Sequence, residues 1–523
     1  MGWHAGLFGK GGSCFVGHSE GGIVEIVHPT NLPVDTALPV QGLVCKLLAG
    51  SGEWAGVSVE QSKTSQRLII LGGGPGGYEA AIVAAQLGAE VTIVERAGMG
   101  GSAVLTDVVP SKTLIATADA MRRVSGAGSF GVTVEGKADA SADLPVVNAR
   151  LMELAHSQSR DIRIGLERAG VRVVLGEGRL LDNRTIAVAR NDGGEETLEA
   201  DAILLALGAH PRELPTAKPD GERIFNWTQV YNLKELPEHL IVVGSGVTGA
   251  EFASAYSLLG SRVTLVSSRE RVLPGEDADA AAVLEEAFEA NGLEVAAKSR
   301  AQAVDRTADG VKVTLNDGRV LEGSHCLVAV GGIPNTAGIG LEEAGIEMND
   351  SGHIQVDGVS RTTAPNVYAA GDCTGVFALA SVAAMQGRIA IAHLMGDGVR
   401  PLKTHEVSAN IFTSPEIATV GVTEAQVNED KYQGDIIKLD LATNARAKMM
   451  NVKEGFVKII ARRGSGTVIG GVVVAPRASE LIYPIALAVQ NRLHVDDMAQ
   501  TFTVYPSLSG SVSEAARRLH KHL

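Results

Sequence analysis

A strand, glycine turn, helix and strand in series, the same series repeated 172 residues downstream, and a tail rich in strand candidates predict an α/β chain: two Rossmann-like units followed by an α+β domain. The first series begins with the apolar run Leu68-Ile69-Ile70-Leu71. It passes through Gly72-Gly73-Gly74-Pro75-Gly76-Gly77 into an Ala-rich helix expected from Gly77 to Leu87, and ends on Val91-Thr92-Ile93-Val94. The second runs from Leu240-Ile241-Val242-Val243 through Gly244-Ser245-Gly246-Val247-Thr248-Gly249, a helix from Gly249 to Leu259, and Val263-Thr264-Leu265-Val266. After about residue 404 come strand candidates Ile417 to Val422, Ile436 to Leu441, Phe456 to Ile460 and Val468 to Val474. Helices are expected from Ser479 to Asn491 and from Ser511 to His520.

The chain has 523 residues, enough for about three domains with cores of their own. Apolar residues make up 45% and charged residues 20%, so the bulk must fold. A net charge of −14 argues against nucleic acid or an anionic membrane as the main partner. No apolar run approaches the roughly 20 residues of a membrane span. Cys14, Cys45, Cys326 and Cys373 are scattered without metal-ligand spacing, which suits a reducing cytoplasm and leaves no metal site to predict. Residues 1–65 keep no period of 2 or 3.6 and are read as a disordered extension or the product of a mis-annotated start.

Both turns fit G-x-G-x-x-G between strand and helix. Gly72 makes the tight turn, Gly74 lets backbone amides reach a pyrophosphate, and Gly77 lets helix and strand pack closely. Glu95 closes the next strand, 18 residues past Gly77, where a carboxylate can accept from a ribose diol. Gly244, Gly246 and Gly249 repeat the turn, with Val247 and Thr248 opening the helix. There the strand-end position holds Ser267, followed by Ser268 and Arg269, a hydroxyl and a cation that would accept the 2′-phosphate of NADPH as well as NADH. One chain with two dinucleotide sites implies electron transfer between them.

From about Gln66 onward the chain resembles the flavoprotein disulfide reductases typified by dihydrolipoamide dehydrogenase and glutathione reductase. The resemblance rests on the two loops together with Gly100-Gly101, Pro110-Ser111-Lys112, Ala206-Leu207-Gly208, Gly331-Gly332-Ile333-Pro334-Asn335 and Ala369-Ala370-Gly371-Asp372. It implies FAD on the first loop, held by Pro75, Glu95, Gly101, Ser102, Gly178 and Gly208, with Gly371 and Asp372 at the ribitol and Ala380 near the flavin. It also implies NADPH or NADH on the second loop with Gly331, a Lys112–Glu251 pair beside the flavin N5 edge, and a homodimer formed through the tail. The implied domains are 66–213 with 335–403 for FAD, 214–334 for NAD(P), and 404–523 for dimerisation.

Members that reduce disulfides carry two cysteines, five positions apart, between the Gly-Gly and the Pro-Ser-Lys. Here those positions are Ala103 and Val108, which can neither be oxidised nor attack a disulfide. The family's C-terminal His-Pro-Thr-Leu-Ser-Glu reads Tyr505-Pro506-Ser507-Leu508-Ser509-Gly510, so the base and its orienting acid are gone too. The chain resembles the cysteine-less branch of NAD(P)H-quinone dehydrogenases, also through Thr443 to Met449 and Val382 to Arg388. That implies a quinone taking two electrons from the flavin, without lipoamide activity, with Tyr505 either facing the acceptor or packed at an interface. An NAD(P)H oxidase using oxygen and a non-catalytic flavoprotein sensor are the alternatives.

Overall fold

The computed structural model describes residues 65–136 and 140–520, together with the backbone of short strands in the first 64 residues. Residues 1–66 form one unit and residues 67–523 another. In the first, His4–Phe8, Gly12–His18 and Val24–Val27 make one antiparallel sheet, and Leu38–Val40, Leu43–Cys45 and Val59–Glu60 a second. Apart from those strands, the stretch expected to be disordered or mis-annotated lies outside the described residues.

The second unit is built on three main sheets. Arg67–Leu71 lies centrally in a seven-stranded sheet, parallel to Glu90–Glu95 on one side and Ala202–Leu205 on the other. Its far strand is Val367–Ala369, so the chain completes this sheet only after building the next one. Leu68, Ile69, Ile70 and Leu71 are all buried, the pattern of a parallel strand covered on both faces. The Pro75–Gln86 helix packs against Ala380–Leu394 through small residues: a Cβ on Gly387 would meet the Gly76 carbonyl oxygen at 2.2 Å. The second sheet is parallel, in the order Ile224–Asn226, His325–Val328, His239–Val243, Arg262–Val266, Glu294–Ala296. A short antiparallel pair, Ala209–Pro211 with Gly332–Pro334, is formed where the chain passes into this sheet and out of it again.

The tail is a five-stranded antiparallel sheet in the order Ser408–Ile411, Glu416–Gly421, Val468–Ala475, Phe456–Arg462, Gly434–Asp440, with helices on one face. Buried Lys458 on this sheet reaches Asp277 and Asp279 of the second sheet's flanking helix, each at 2.8 Å, and Glu424, tying tail to second sheet.

Three helices differ from expectation. The glycine-turn helices begin at Pro75 and Val247, two residues earlier than read from the third glycines, because Gly74 and Gly246 take the extended N-cap conformation. The helix expected over 479–491 is two, Ala478–Leu481 and Tyr483–Asn491, since Pro484 belongs to a first helical turn and cannot donate from an interior position. Among the described residues no helix is long and apolar enough to cross a membrane.

Candidate active site

The first glycine turn is shaped by what its missing side chains avoid. Gly72 has φ +103°, its N–H donates to the Val94 carbonyl at 2.8 Å, and a Cβ there would lie 2.1 Å from the Ala206 oxygen. A Cβ on Gly77 would sit 1.9 Å from the Gly72 oxygen. On Gly74 it would meet nothing within 4 Å, so this face of the backbone is bare toward the cleft. Gly101 supports it from below, its Cβ position 2.9 Å from the Gly74 Cα. Glu95, 8% exposed, accepts from the Gly73 N–H at 2.7 Å on Oε2, and from the Ala97 N–H at 2.8 Å and the Gly98 N–H at 3.5 Å on Oε1. Oε2, with one donor, keeps lone-pair capacity for another.

A cleft of about 350 Å³ runs from this turn, lined by Gly72, Gly74, Pro75, Glu95, Gly101, Ser102, Gly178, Gly208, Gly371, Asp372 and Ala380. Sequence reading had assigned all of these to FAD. Gly371, φ +83°, donates to Oε1 of Gln386, which is buried and holds the turn before Asp372. No described residue hydrogen-bonds the Asp372 carboxylate, and burial raises its pKa, partly offset by His353. Bare backbone at Gly74, a carboxylate with spare lone pairs at Glu95 and an unpartnered carboxylate at Asp372 fit an elongated, hydroxyl-rich dinucleotide such as FAD.

The other end of the cleft is lined by Ala103, Leu105, Thr106, Asp107 and Val108. The Val108–Gly126 helix carries Lys112, whose Nζ lies 2.6 Å from Glu251 Oε2 and 4.9 Å from the centre of the Phe412 ring. Glu251 is 5% exposed, and its other oxygen accepts from the Phe412 N–H at 2.8 Å. One carboxylate thus ties the Val108–Gly126 helix, the second glycine-turn helix and the tail together. Asp107, Gln386 and Phe412 belong to this region and were not singled out from the sequence. Asp107 sits inside the altered cysteine stretch, where the signal was read only as loss.

The second turn repeats the first. Gly244 has φ +115°, its N–H donates to Val266 at 3.1 Å, and a Cβ would meet the Ala329 oxygen at 2.2 Å. On Gly249 it would meet the Gly244 oxygen at 1.8 Å, and on Gly246 nothing within 4 Å. Gly246 and Val247 are exposed, and Thr248 is partly so. Ser267 departs from expectation. It is fully buried, 2.7 Å from the Ser245 hydroxyl, and held against the backbone of Arg269 and Arg271, so its hydroxyl serves the loop and has nothing left for a phosphate. Arg271 is likewise spent on the Glu276 carbonyl. Arg269 is exposed, and no described side chain pairs with its guanidinium. Gly331, φ +95°, is exposed, its carbonyl accepting from the Arg212 N–H at 2.9 Å.

Tyr505 is 85% exposed, beside Phe502 and Val504 which are also exposed, and it does not line the cleft of its own chain. Of the two described cysteines, Cys326 is a buried strand residue. Cys373 is buried with its Sγ 3.3 Å from the Ala370 oxygen, and burial pushes its thiol up to about 11. Neither lines the cleft.

Residues 66–387 match the pyridine nucleotide-disulphide oxidoreductase model, and residues 407–516 match that family's dimerisation domain. The chain is 53% identical over 466 residues to an NAD(P)H dehydrogenase (quinone) of Mycobacterium tuberculosis, covering 87% of this chain and 94% of that one. It is 34% identical over 453 residues to the dihydrolipoyl dehydrogenase of Zymomonas mobilis, covering 86% and 96%. Among solved structures, LpdA of Mycobacterium tuberculosis aligns with a TM-score of 0.84 at 52% identity, covering 87% of this chain and all of that one. The flavoprotein disulfide reductase RclA of Escherichia coli aligns at 0.77 with 25% identity, covering 86% and 99%. With matches over both glycine turns and the tail, this chain belongs to the pyridine nucleotide-disulphide oxidoreductase family and is an FAD- and NAD(P)H-dependent oxidoreductase.

Proposed function

We propose that the protein is an NAD(P)H-quinone dehydrogenase that passes two electrons from NAD(P)H to a quinone without a redox disulfide and without turning over lipoamide. The observation that carries this reading is the cleft end at Ala103 and Val108: alkyl side chains stand where a disulfide reductase of this family needs thiols, and the two described cysteines are buried elsewhere. The 53% identity to a quinone dehydrogenase supports the same acceptor class.

FAD, when bound, supplies the two-electron relay between nicotinamide and acceptor. In this reading Gly72, Gly74, Pro75 and Gly77 present the first helix N-terminus to its pyrophosphate, Glu95 holds a ribose, and Gly101, Ser102, Gly178, Gly208, Gly371, Asp372 and Ala380 complete the cleft. Lys112, oriented by Glu251, places a cation where negative charge develops. Gly244, Gly246, Val247, Thr248 and Gly249 hold NAD(P)H beside Gly331, with Arg269 as the contact for a 2′-phosphate. The domains divide as 66–213 with 335–403, 214–334 and 404–523, and the last pairs two chains in a homodimer. Tyr505, exposed in one chain, is then covered at or near that interface. The scattered cysteines support a cytoplasmic location.

The test is to purify the yellow holoenzyme and compare NADPH oxidation with a menadione-type quinone, lipoamide and oxygen in parallel. Quinone turnover well above the other two is expected; lipoamide turnover at a comparable rate refutes the reading.

A further inference from the structure

Resting on the quinone reading, we propose that Asp107 is the group that delivers the second proton to the acceptor. A quinone becomes a quinol by taking two electrons and two protons, whereas NAD(P)H yields two electrons and one proton as a hydride. The remaining proton comes from water and has to be handed over at the cleft.

Asp107 lines the cleft beside Val108 and four residues from Ala103, at the end where the family's thiols would stand. It is the N-cap residue of the Val108–Gly126 helix, yet its side chain does not cap that helix, and no described residue hydrogen-bonds its carboxyl. An N-cap aspartate ordinarily accepts from the first-turn amides; this one is left to the cleft. The charged and titratable groups around it are Lys112 on its own helix, Glu251 on the second glycine-turn helix and Asp372 at the end of the first sheet. Tyr231 donates its hydroxyl to the Asp107 carbonyl at 3.4 Å. Burial is the largest influence and raises the carboxyl to about 6, with Glu251 and Asp372 adding and Lys112 opposing. A carboxyl titrating there can both give a proton and recover one near neutral pH.

The other candidates are occupied or absent. Glu251 is held by Lys112 and the Phe412 amide, Asp372 is taken up by the ribitol of FAD in the same reading, Cys373 is sealed, and Tyr505 is not in the cleft. In the step, the Asp107 O–H bond breaks as a quinol O–H bond forms. The electron pair and the other hydrogen originate in NAD(P)H, and water reprotonates the carboxylate. The sum is NAD(P)H + H⁺ + quinone giving NAD(P)⁺ + quinol.

Asp107→Asn keeps the shape and removes the proton. With the FAD-loaded enzyme, the ratio of menadione-type quinone turnover to ferricyanide turnover, the latter needing no proton, is expected to fall roughly 100-fold. The inflection near pH 6 in quinone reduction should vanish as well. A readout independent of turnover is the melting temperature against pH. The folded protein holds this proton more tightly than the unfolded chain, so the stability the group confers is full at acid pH and is lost as pH rises through about 6. The variant should therefore gain on the wild type between pH 4 and pH 8. Should the Asn variant not fold, Asp107→Ser carries the same measurements. A preserved quinone-to-ferricyanide ratio with an active wild type, or a flat difference in melting temperature, overturns the Asp107 role alone. A wild type that reduces ferricyanide but no quinone overturns the quinone reading, and the proposal with it.

Discussion

The two glycine turns are nearly superposable in their chemistry and opposite in their surroundings. In each, the first glycine is pinned below a neighbouring strand carbonyl, the third is pressed on the first, and the second is bare. Yet the first turn opens into a cleft closed by residues 101–108 and 371–383, while Gly246 and Val247 of the second stand exposed. The strand-end residue differs too: Glu95 offers carboxylate oxygens to the cleft, whereas Ser267 is buried in its own loop. The motif fixes a backbone shape; the residues around it decide whether the turn faces an enclosed cleft or stands exposed.

The strongest way to break the comparison is to cut the tie between the two turns. Lys112→Met leaves Glu251 as a buried carboxylate with one remaining donor, at an expected cost of about 3–5 kcal/mol in urea unfolding. Glu251→Gln, whose single amide oxygen can accept from only one of Lys112 and the Phe412 N–H, removes the buried charge along with one hydrogen bond and should cost less. A smaller effect separates the turns. Gly77→Ala forces a methyl onto the Gly72 oxygen and should weaken FAD retention roughly 10- to 100-fold, read from the yellow colour after gel filtration. Gly249→Ala makes the same clash at the second turn. It should leave the colour and raise KM for NAD(P)H by a similar factor. Arg269→Ala is the mildest: about a tenfold rise in KM for NADPH with KM for NADH within about twofold, measured side by side. Equal changes for both cofactors would remove Arg269 from phosphate recognition.

The fold was legible because its signals are local. Apolar runs such as Leu68 to Leu71 and turns such as Gly72 to Gly77 declare themselves within a few residues, and four of the five tail strands followed from apolar content alone, Ser408–Ile411 being the one not assigned. The 25-residue helix Leu144–Arg168, between the two glycine turns, and the Ala301–Arg306 to Val320–Gly323 sheet, beyond the second, were not assigned, having no motif of their own. In the cleft, the glycines were legible since close backbone approach forces their type. Ser267 and Asp107 were not, for the opposite reason: what each does depends on partners distant in sequence. The hydroxyl of Ser267 is consumed by Ser245, 22 residues away, and the carboxyl of Asp107 is set by Glu251 and Asp372.

Electron transfer with no sulfur couple beside the flavin is open to a simple count of electrons under anaerobic conditions. Titrated with dithionite, the holoenzyme should bleach fully at one two-electron equivalent per FAD. A requirement for two equivalents, with thiols appearing in step, would contradict it.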